Sequence, residues 1–400
     1  MKNLLLIFAL FGLQFTTYAQ LAEKVELTED NKLLGLGEQH LLHSEVLGEN
    51  RPIIISLPVD YDHNQENYPV IYVLDGLQNI KHTVGTVELL AESGLVPPMI
   101  IVGIESLDRA RDLTPSNAGK NMNGGTGNAG IPQSGGAPRF LEFLEAELIP
   151  YIETNYRTHP YRILEGHSFG GLFGVYTLMD RPDIFDAFVI EAPALWWNNE
   201  EMTQKAKDFF SSSKELDKAV YFGIGGDDGW GMRQELIRYV DVIKQNTPKN
   251  FRWHHEEVGD EDHMASRLLL NYHGLKFLFS DLKMTEDTAA NFDGESFLNA
   301  EKQLMSKYGT NTRRPAGDYV NMVMEQVNKD NLAGAITILK RATEAYPTYI
   351  GLLTYLAKLY EQSNQTEEAV AAYMTGVEVS KKYKLGQEDD LMIEIDRLRK

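Results

Sequence analysis

The sequence predicts an α/β fold with a doubly wound, mostly parallel sheet, followed by a small all-α helical-repeat tail. Three observations lead there. Short apolar runs alternate with helical patterns from about residue 51 to about residue 281. Runs of that kind fit strands buried on both faces of a parallel sheet, and the alternation fits helices laid over both faces. Beyond about residue 290 the strand signals stop and helical patterns take over. The 400 residues are 43% hydrophobic and 24% charged, globular proportions with apolar material for more than one domain.

Taken in order, the chain opens with Lys2 and an apolar stretch from Leu4 to Phe11, then Thr17-Tyr18-Ala19. A positive start, a short apolar core and small residues at the cleavage positions read as a signal peptide over 1–19, cut after Ala19. The expectation is an exported protein, periplasmic or secreted, with no membrane insertion once the signal is removed. The α/β domain is expected over 20–282. Its strands are Arg51–Pro58, Tyr68–Leu74, Pro98–Ile104, Arg162–Glu165, Ala187–Ile190, Val220–Ile224 and Arg252–Val258. Helices are expected over Thr83–Ser93 and over Phe140–Tyr156, where apolar residues at 140, 141, 144, 148 and 152 follow a period near 3.6. Residues 118–137, rich in Gly and Asn, read as a long loop, either a lid or binding loop or simply a mobile stretch.

A helical linker is expected over 283–312 and a repeat tail over 313–400. Ala335 and Ala369, and likewise Ala342 and Gly376, stand 34 residues apart. Small residues at that spacing let paired helices approach closely, a pattern that resembles tetratricopeptide repeats. About two units are visible, and such arrays usually need three to stand alone. The tail is therefore expected to pack on the α/β domain or on a protein partner.

Composition removes several classes of function. The net charge of -20 repels phosphate backbones and argues against a nucleic-acid partner. The chain has no cysteine, which removes disulfides, thiolate metal sites and a cysteine nucleophile. No histidine pair has metal-ligand spacing with a carboxylate, so neither metal nor cofactor is expected.

Chemistry points to Gly166-His167-Ser168-Phe169-Gly170, a G-x-S-x-G motif with a further Gly171. It follows the Arg162–Glu165 strand directly and precedes an apolar helical run, Leu172–Met179. A strand-to-helix turn this tight forces its central residue into a strained geometry and lifts the Ser168 hydroxyl clear of the sheet. The same turn leaves the Phe169 N–H at a helix N-terminus, ready to donate to an oxyanion. A serine hydroxyl needs a base, and the base an orienting acid. On such a scaffold the partners follow in the order Ser, acid, His. Gly225-Gly226-Asp227-Asp228 follows the strand Val220–Ile224. Asp228 is the preferred acid, with Asp227 and Glu235 as alternatives. Among ten histidines, His263 is favoured as base, because it lies in a polar loop after the next strand. The second oxyanion donor is assigned to the Leu77 N–H, after the strand ending at Leu74; a simple strand-ending turn is the other reading.

These residues resemble a known family. Tyr68-Pro-Val-Ile-Tyr-Val-Leu-Asp-Gly76, Ile101-Val-Gly-Ile104, Arg109-Ala-Arg-Asp-Leu-Thr-Pro115, the stretch Phe140–Tyr156 and the Ser168 elbow together look like the putative-esterase family of α/β-hydrolases, which includes siderophore esterases, feruloyl esterases and esterase D. The resemblance spans roughly residues 35–282. It implies an exported serine carboxylester hydrolase working through an acyl-enzyme with Ser168, His263 and an acid near Asp228. The expected substrate is a siderophore lactone or an acylated carbohydrate. Arg109 and Arg111 lie where such folds bind ligands and are assigned to an anionic or catechol-bearing acyl group, against the alternative of ion pairs with Asp108 or Asp112. Trp197, with Trp196 and Trp230, is assigned to stacking on a sugar or aromatic acid, against the alternative of core packing. The rival class is a catalytically inactive scaffold that binds proteins through its tail.

Overall fold

The computed structural model describes residues 36–118, 133–229, 231–285, 287–288 and 291–400. The expected signal peptide, most of the 118–137 loop and Trp230 therefore lie outside the described residues. Those described divide into two units. One comprises Leu36–Leu282 with Gln303–Arg313, and the other Lys283–Lys302 with Arg314–Lys400.

The first unit is built on one eight-stranded sheet. Its strands are β1 (Glu38–Ser44), β2 (Glu49–Ser56), β3 (Tyr68–Leu74), β4 (Ile100–Ile104), β5 (Thr158–His167), β6 (Ala187–Glu191), β7 (Ala219–Gly225) and β8 (Arg252–Val258). Their spatial order is β1-β2-β4-β3-β5-β6-β7-β8. From β4 to β8 every pairing is parallel, and β1 and β2 close the edge in antiparallel fashion. Sequence analysis did not find β1. Its side chains are largely exposed, Leu41 among them, so it carries no apolar run and is held by backbone pairing to β2.

Every residue of β3 is buried, as an apolar run in the middle of a parallel sheet requires. Val70, Tyr72 and Leu74 enter one hydrophobic layer, and Ile71 and Val73 the other, by the strand's period of two. Helices Gly76–Glu92 and Ser266–Leu278 cover the Ile71 face. The opposite face carries Ala137–Phe143 and Ile149–Asn155, joined by a π-turn at Leu144–Leu148, together with Phe169–Asp180, Trp197–Ser212 and Met232–Gln245. Helices on both faces of a mostly parallel sheet make the doubly wound class.

Residues 303–313, the last ten expected to be linker and the first of the expected tail, group with this unit. Tyr308 is fully buried, its ring 4.9 Å from that of Tyr161 and its hydroxyl donating to Asp281 at 2.9 Å.

The second unit is all-helical, with Ala316–Asn328, Leu332–Ala345, Ile350–Gln362, Thr366–Tyr383 and Glu388–Leu398 in succession. Ala335, Ala342 and Ala369 are fully buried, and a Cβ added at Gly376 would meet Leu391 Cδ1 at 3.2 Å. The small residues spaced by 34 thus lie at close helix contacts. A buried carboxylate pins this unit: Glu301 accepts from Tyr319 Oη at 2.6 Å, Arg314 Nε at 2.5 Å and Arg341 Nε at 3.1 Å.

Candidate active site

Strands β5, β6 and β7 end at the same rim of the sheet, and the candidate residues gather there. Ser168 follows β5 immediately, with φ 61° and ψ -112°. That conformation costs a non-glycine residue about 1–3 kcal/mol and persists only where the surroundings enforce it. Ser168 N–H donates to Glu191 O at 3.0 Å, and its carbonyl accepts from Leu172 and Ala194 at 2.9 and 3.0 Å. Gly166 is required sterically, since a Cβ there would fall 2.5 Å from the Gly170 carbonyl. Helix Phe169–Asp180 starts at the next residue, so the Phe169 N–H belongs to a first turn whose donors have no intrahelical acceptor.

His263 Nδ1 lies 2.8 Å from Asp228 Oδ2. A carboxylate only accepts, so Nδ1 carries the hydrogen and Nε2 is left as the basic nitrogen. The Asp228 side chain is 1% exposed and that of His263 31%, the burial expected of an orienting acid and a base that meets substrate. Asp227, by contrast, is exposed, and Glu235 lies on the following helix with burial raising its pKa. Of the three candidate acids, Asp228 is the one that meets His263.

His167 lies against His263 beside the elbow. Its ring centroid is 4.4 Å from that of His263, and its Nε2 is 2.7 Å from the His263 carbonyl oxygen. Burial, reinforced by the charges of His263 and Arg267, pushes the His167 imidazole down to about 3 and keeps it neutral.

The remaining expected site residues divide. Arg109 Nε and Nη2 grip Asp75 at 2.7 and 2.9 Å, Nη2 reaches His167 O at 3.3 Å, and the guanidinium stands 5.5 Å from the Phe169 ring centroid. Its side chain is 35% exposed, as is that of Arg111, and its charge is matched by Asp75 at the rim beside Ser168. Arg111 is tied down instead. It donates to Asp112 at 2.6 Å and to Glu49 at 2.7 and 3.1 Å, in a network completed by the fully buried Arg51. This is the ion-pair alternative in place of substrate contact. Trp197 is likewise a correction. It is fully buried, its Nε1 donates to Ser116 O at 3.2 Å, and its ring meets Phe169 edge-on at 5.5 Å. Trp196, packed on Phe169 at 5.8 Å, keeps part of its indole exposed. The Leu77 N–H is taken by Glu105 Oε2 at 2.9 Å, so an oxyanion reaching it has to displace a carboxylate.

Sequence reasoning missed a buried acid pair behind the elbow. Glu165 and Glu191 are each 1% exposed, Glu165 two residues before the end of β5 and Glu191 at the end of β6. Glu165 accepts from Thr83 Oγ1 at 3.1 Å and Asn271 Nδ2 at 2.8 Å. Burial pushes Glu165 up to about 7, and burial plus the neighbouring Glu165 charge raises Glu191 well above the usual carboxylate range. The signal was available, because each is a charged residue closing an apolar run.

A mostly parallel doubly wound sheet with a serine elbow, a buried aspartate and a histidine at one strand-end rim defines an α/β-hydrolase. The family model "Putative esterase" matches residues 44–267, and the chain belongs to this family. Similar characterised relatives include the ferri-bacillibactin esterase BesA of Bacillus subtilis, 30% identical over 164 residues (38% of this chain, 57% of the relative). The siderophore triacetylfusarinine C esterase of Aspergillus fumigatus is 29% identical over 192 residues (44% of this chain, 62% of the relative). The chain thus spans less than two thirds of the length of each. Among solved structures, an IroE-like serine hydrolase from Shewanella oneidensis superposes with a TM-score of 0.64 at 25% identity, covering 77% of this chain and 99% of the other.

Proposed function

We propose that this protein is a serine carboxylester hydrolase acting through an acyl-enzyme on a siderophore ester. The observation that carries the reading is the His263–Asp228 hydrogen bond at 2.8 Å beside the strained Ser168. In the proposed reaction Ser168 Oγ attacks the ester carbonyl while His263 Nε2 takes its proton. Asp228 steadies the resulting imidazolium. The tetrahedral oxyanion accepts from the Phe169 N–H, and from the Leu77 N–H once Glu105 has moved aside. Collapse expels the alcohol, which takes the proton from His263. Water activated by the same imidazole then attacks the acyl-enzyme and releases the acid.

The siderophore assignment rests on the names of the relatives and on the part-exposed Arg109, whose Asp75 partner an anionic or catechol-bearing acyl group would compete with, beside the Phe169 ring that Trp196 packs against. An acylated carbohydrate is the second substrate class, favoured by the part-exposed Trp196 indole. Export is part of the proposal, and the N-terminal pattern of residues 1–19 supports it. The helical unit reads as tetratricopeptide-like from its small-residue spacing, and docking of a protein partner is its proposed role. The inactive-scaffold alternative predicts no Ser168-dependent turnover.

Hydrolysis of p-nitrophenyl acetate and butyrate by the purified protein, beside Ser168→Ala, tests the class. Turnover that drops at least about a thousandfold in the variant supports the reading. Equal rates in both proteins remove it.

A further inference from the structure

His167 occupies the variable position of the elbow, yet its side chain addresses the catalytic histidine. The residue is 5% exposed, and its Nε2 lies 2.7 Å from the His263 carbonyl oxygen. Since a carbonyl only accepts, Nε2 carries the hydrogen. The backbone beneath this donor is fixed on both sides: His167 pairs with Glu191 in β6, and its carbonyl accepts from Arg109 at 3.3 Å.

The loop carrying His263 is held at its neighbours by other groups. Asp262 Oδ1 accepts from the N–H of Met264 and Ala265 at 2.8 and 2.7 Å, and Glu261 O accepts from Asp227 N–H at 3.0 Å. The carbonyl of His263 itself is met by His167, with Ser266 Oγ at the outer limit of hydrogen bonding, 3.5 Å. A part-exposed imidazole on a loop keeps its aim only as well as its own peptide is held.

We infer that His167 is a positioning residue. Resting on the catalytic reading above, it anchors the peptide of His263 to strand β5, so that nucleophile and base are registered by one direct hydrogen bond. The identity of the donor matters, and its charge state matters too. A neutral ring 4.4 Å from His263 leaves the imidazolium formed during catalysis unopposed, whereas a cation there would raise its energy.

The test compares His167→Met, which fills similar space without a donor, and His167→Gln, which supplies an N–H, with wild type and Ser168→Ala in the full chain. Steady-state kinetics on p-nitrophenyl butyrate and thermal melting are measured for each. A misplacement near 1 Å costs on the order of a hundredfold, so His167→Met is expected to lower kcat about 30-fold or more with KM nearly unchanged. His167→Gln is expected to stay within about fivefold of wild type, because its amide still donates. Full activity in a folded His167→Met, or a His167→Gln as impaired as His167→Met, overturns the inference. If His167→Met does not fold, His167→Gln decides alone: an active variant supports the anchor, and a folded inactive one overturns it. A wild type without Ser168-dependent turnover overturns the catalytic reading and this inference together, which separates the two failures.

Discussion

Asp228 Oδ2 and His263 Nδ1 meet at 2.8 Å across 35 positions of sequence, and the backbone arranges the meeting. Gly226 N–H donates to Val258 O at 2.6 Å and Asp227 N–H to Glu261 O at 3.0 Å, stitching the loop after β7 to the loop after β8. Gly225 makes this possible: a Cβ there would fall 2.3 Å from Glu261 O. The residues between acid and base thus act as a hinge plate whose tightness sets the distance between them.

Asp228 is the proposed acid. Asp228→Asn leaves the shape in place but favours the wrong histidine tautomer, and kcat should fall by about 10³–10⁴. Asp227→Asn and Glu235→Gln should stay near wild type. Steady-state kinetics on one p-nitrophenyl ester across the three variants checks this.

The buried acid pair sets a pH dependence of stability. Glu165 titrates near 7 in the folded protein, against an ordinary value of 4.5. Its folded pKa is therefore raised, and the folded state holds a proton that the unfolded chain has released. The stability this group contributes is fully present below 4.5 and is lost as pH rises through 7, by up to about 1.4 kcal/mol per pH unit. Glu191, raised in the same direction, adds to the decline. Thr83, Asn271, His82 and Arg267 face the pair, and burial keeps His82 neutral across this window. Glu191→Gln should flatten the fall in Tm between pH 5 and 8, as thermal melts in matched buffers will show.

Two adjacent indoles should behave oppositely. Trp197→Ala empties a fully buried site and should cost about 3–5 kcal/mol in chemical denaturation. Trp196→Ala should fold normally and raise KM for aromatic acyl esters more than for acetate, measured on a paired ester series.

Glu105 competes with an oxyanion for the Leu77 N–H. If that N–H completes the oxyanion hole, Glu105→Ala should raise kcat/KM on small esters, by about tenfold, a fraction of what one such donor contributes. An unchanged or lower value assigns Leu77 to the turn alone.

Much of this was legible in the residue order. Apolar runs closing at glycine or aspartate located the inner strands, and the elbow identified itself through flanking glycines that a Cβ would not survive, as at Gly166. The order Ser168, Asp228, His263 was readable because strand ends carry the loops. Side-chain fate was not. Trp197 and Arg111 sit on positions that a ligand-binding fold exposes, yet one is packed under Phe169 and the other spends its donors on Glu49 and Asp112. The adjacent Asp112 was a visible partner for Arg111, but Glu49 for Arg111 and Ser116 for Trp197 are distant in sequence, and periodicity does not pair them. The edge strand β1 escaped for a related reason: it is specified by the open backbone of β2 rather than by a pattern of its own.

The central claim is that Ser168 is a nucleophile activated by His263 and Asp228. Its most direct test is covalent capture. The purified protein is treated with a fluorophosphonate, which phosphonylates only activated serines, and the adduct is located by peptide mass spectrometry in wild type and His263→Ala. The account predicts one adduct, on Ser168, formed with loss of esterase activity and at least about a thousandfold slower in the His263 variant. No adduct on Ser168, or labelling at equal rates in both proteins, would contradict it.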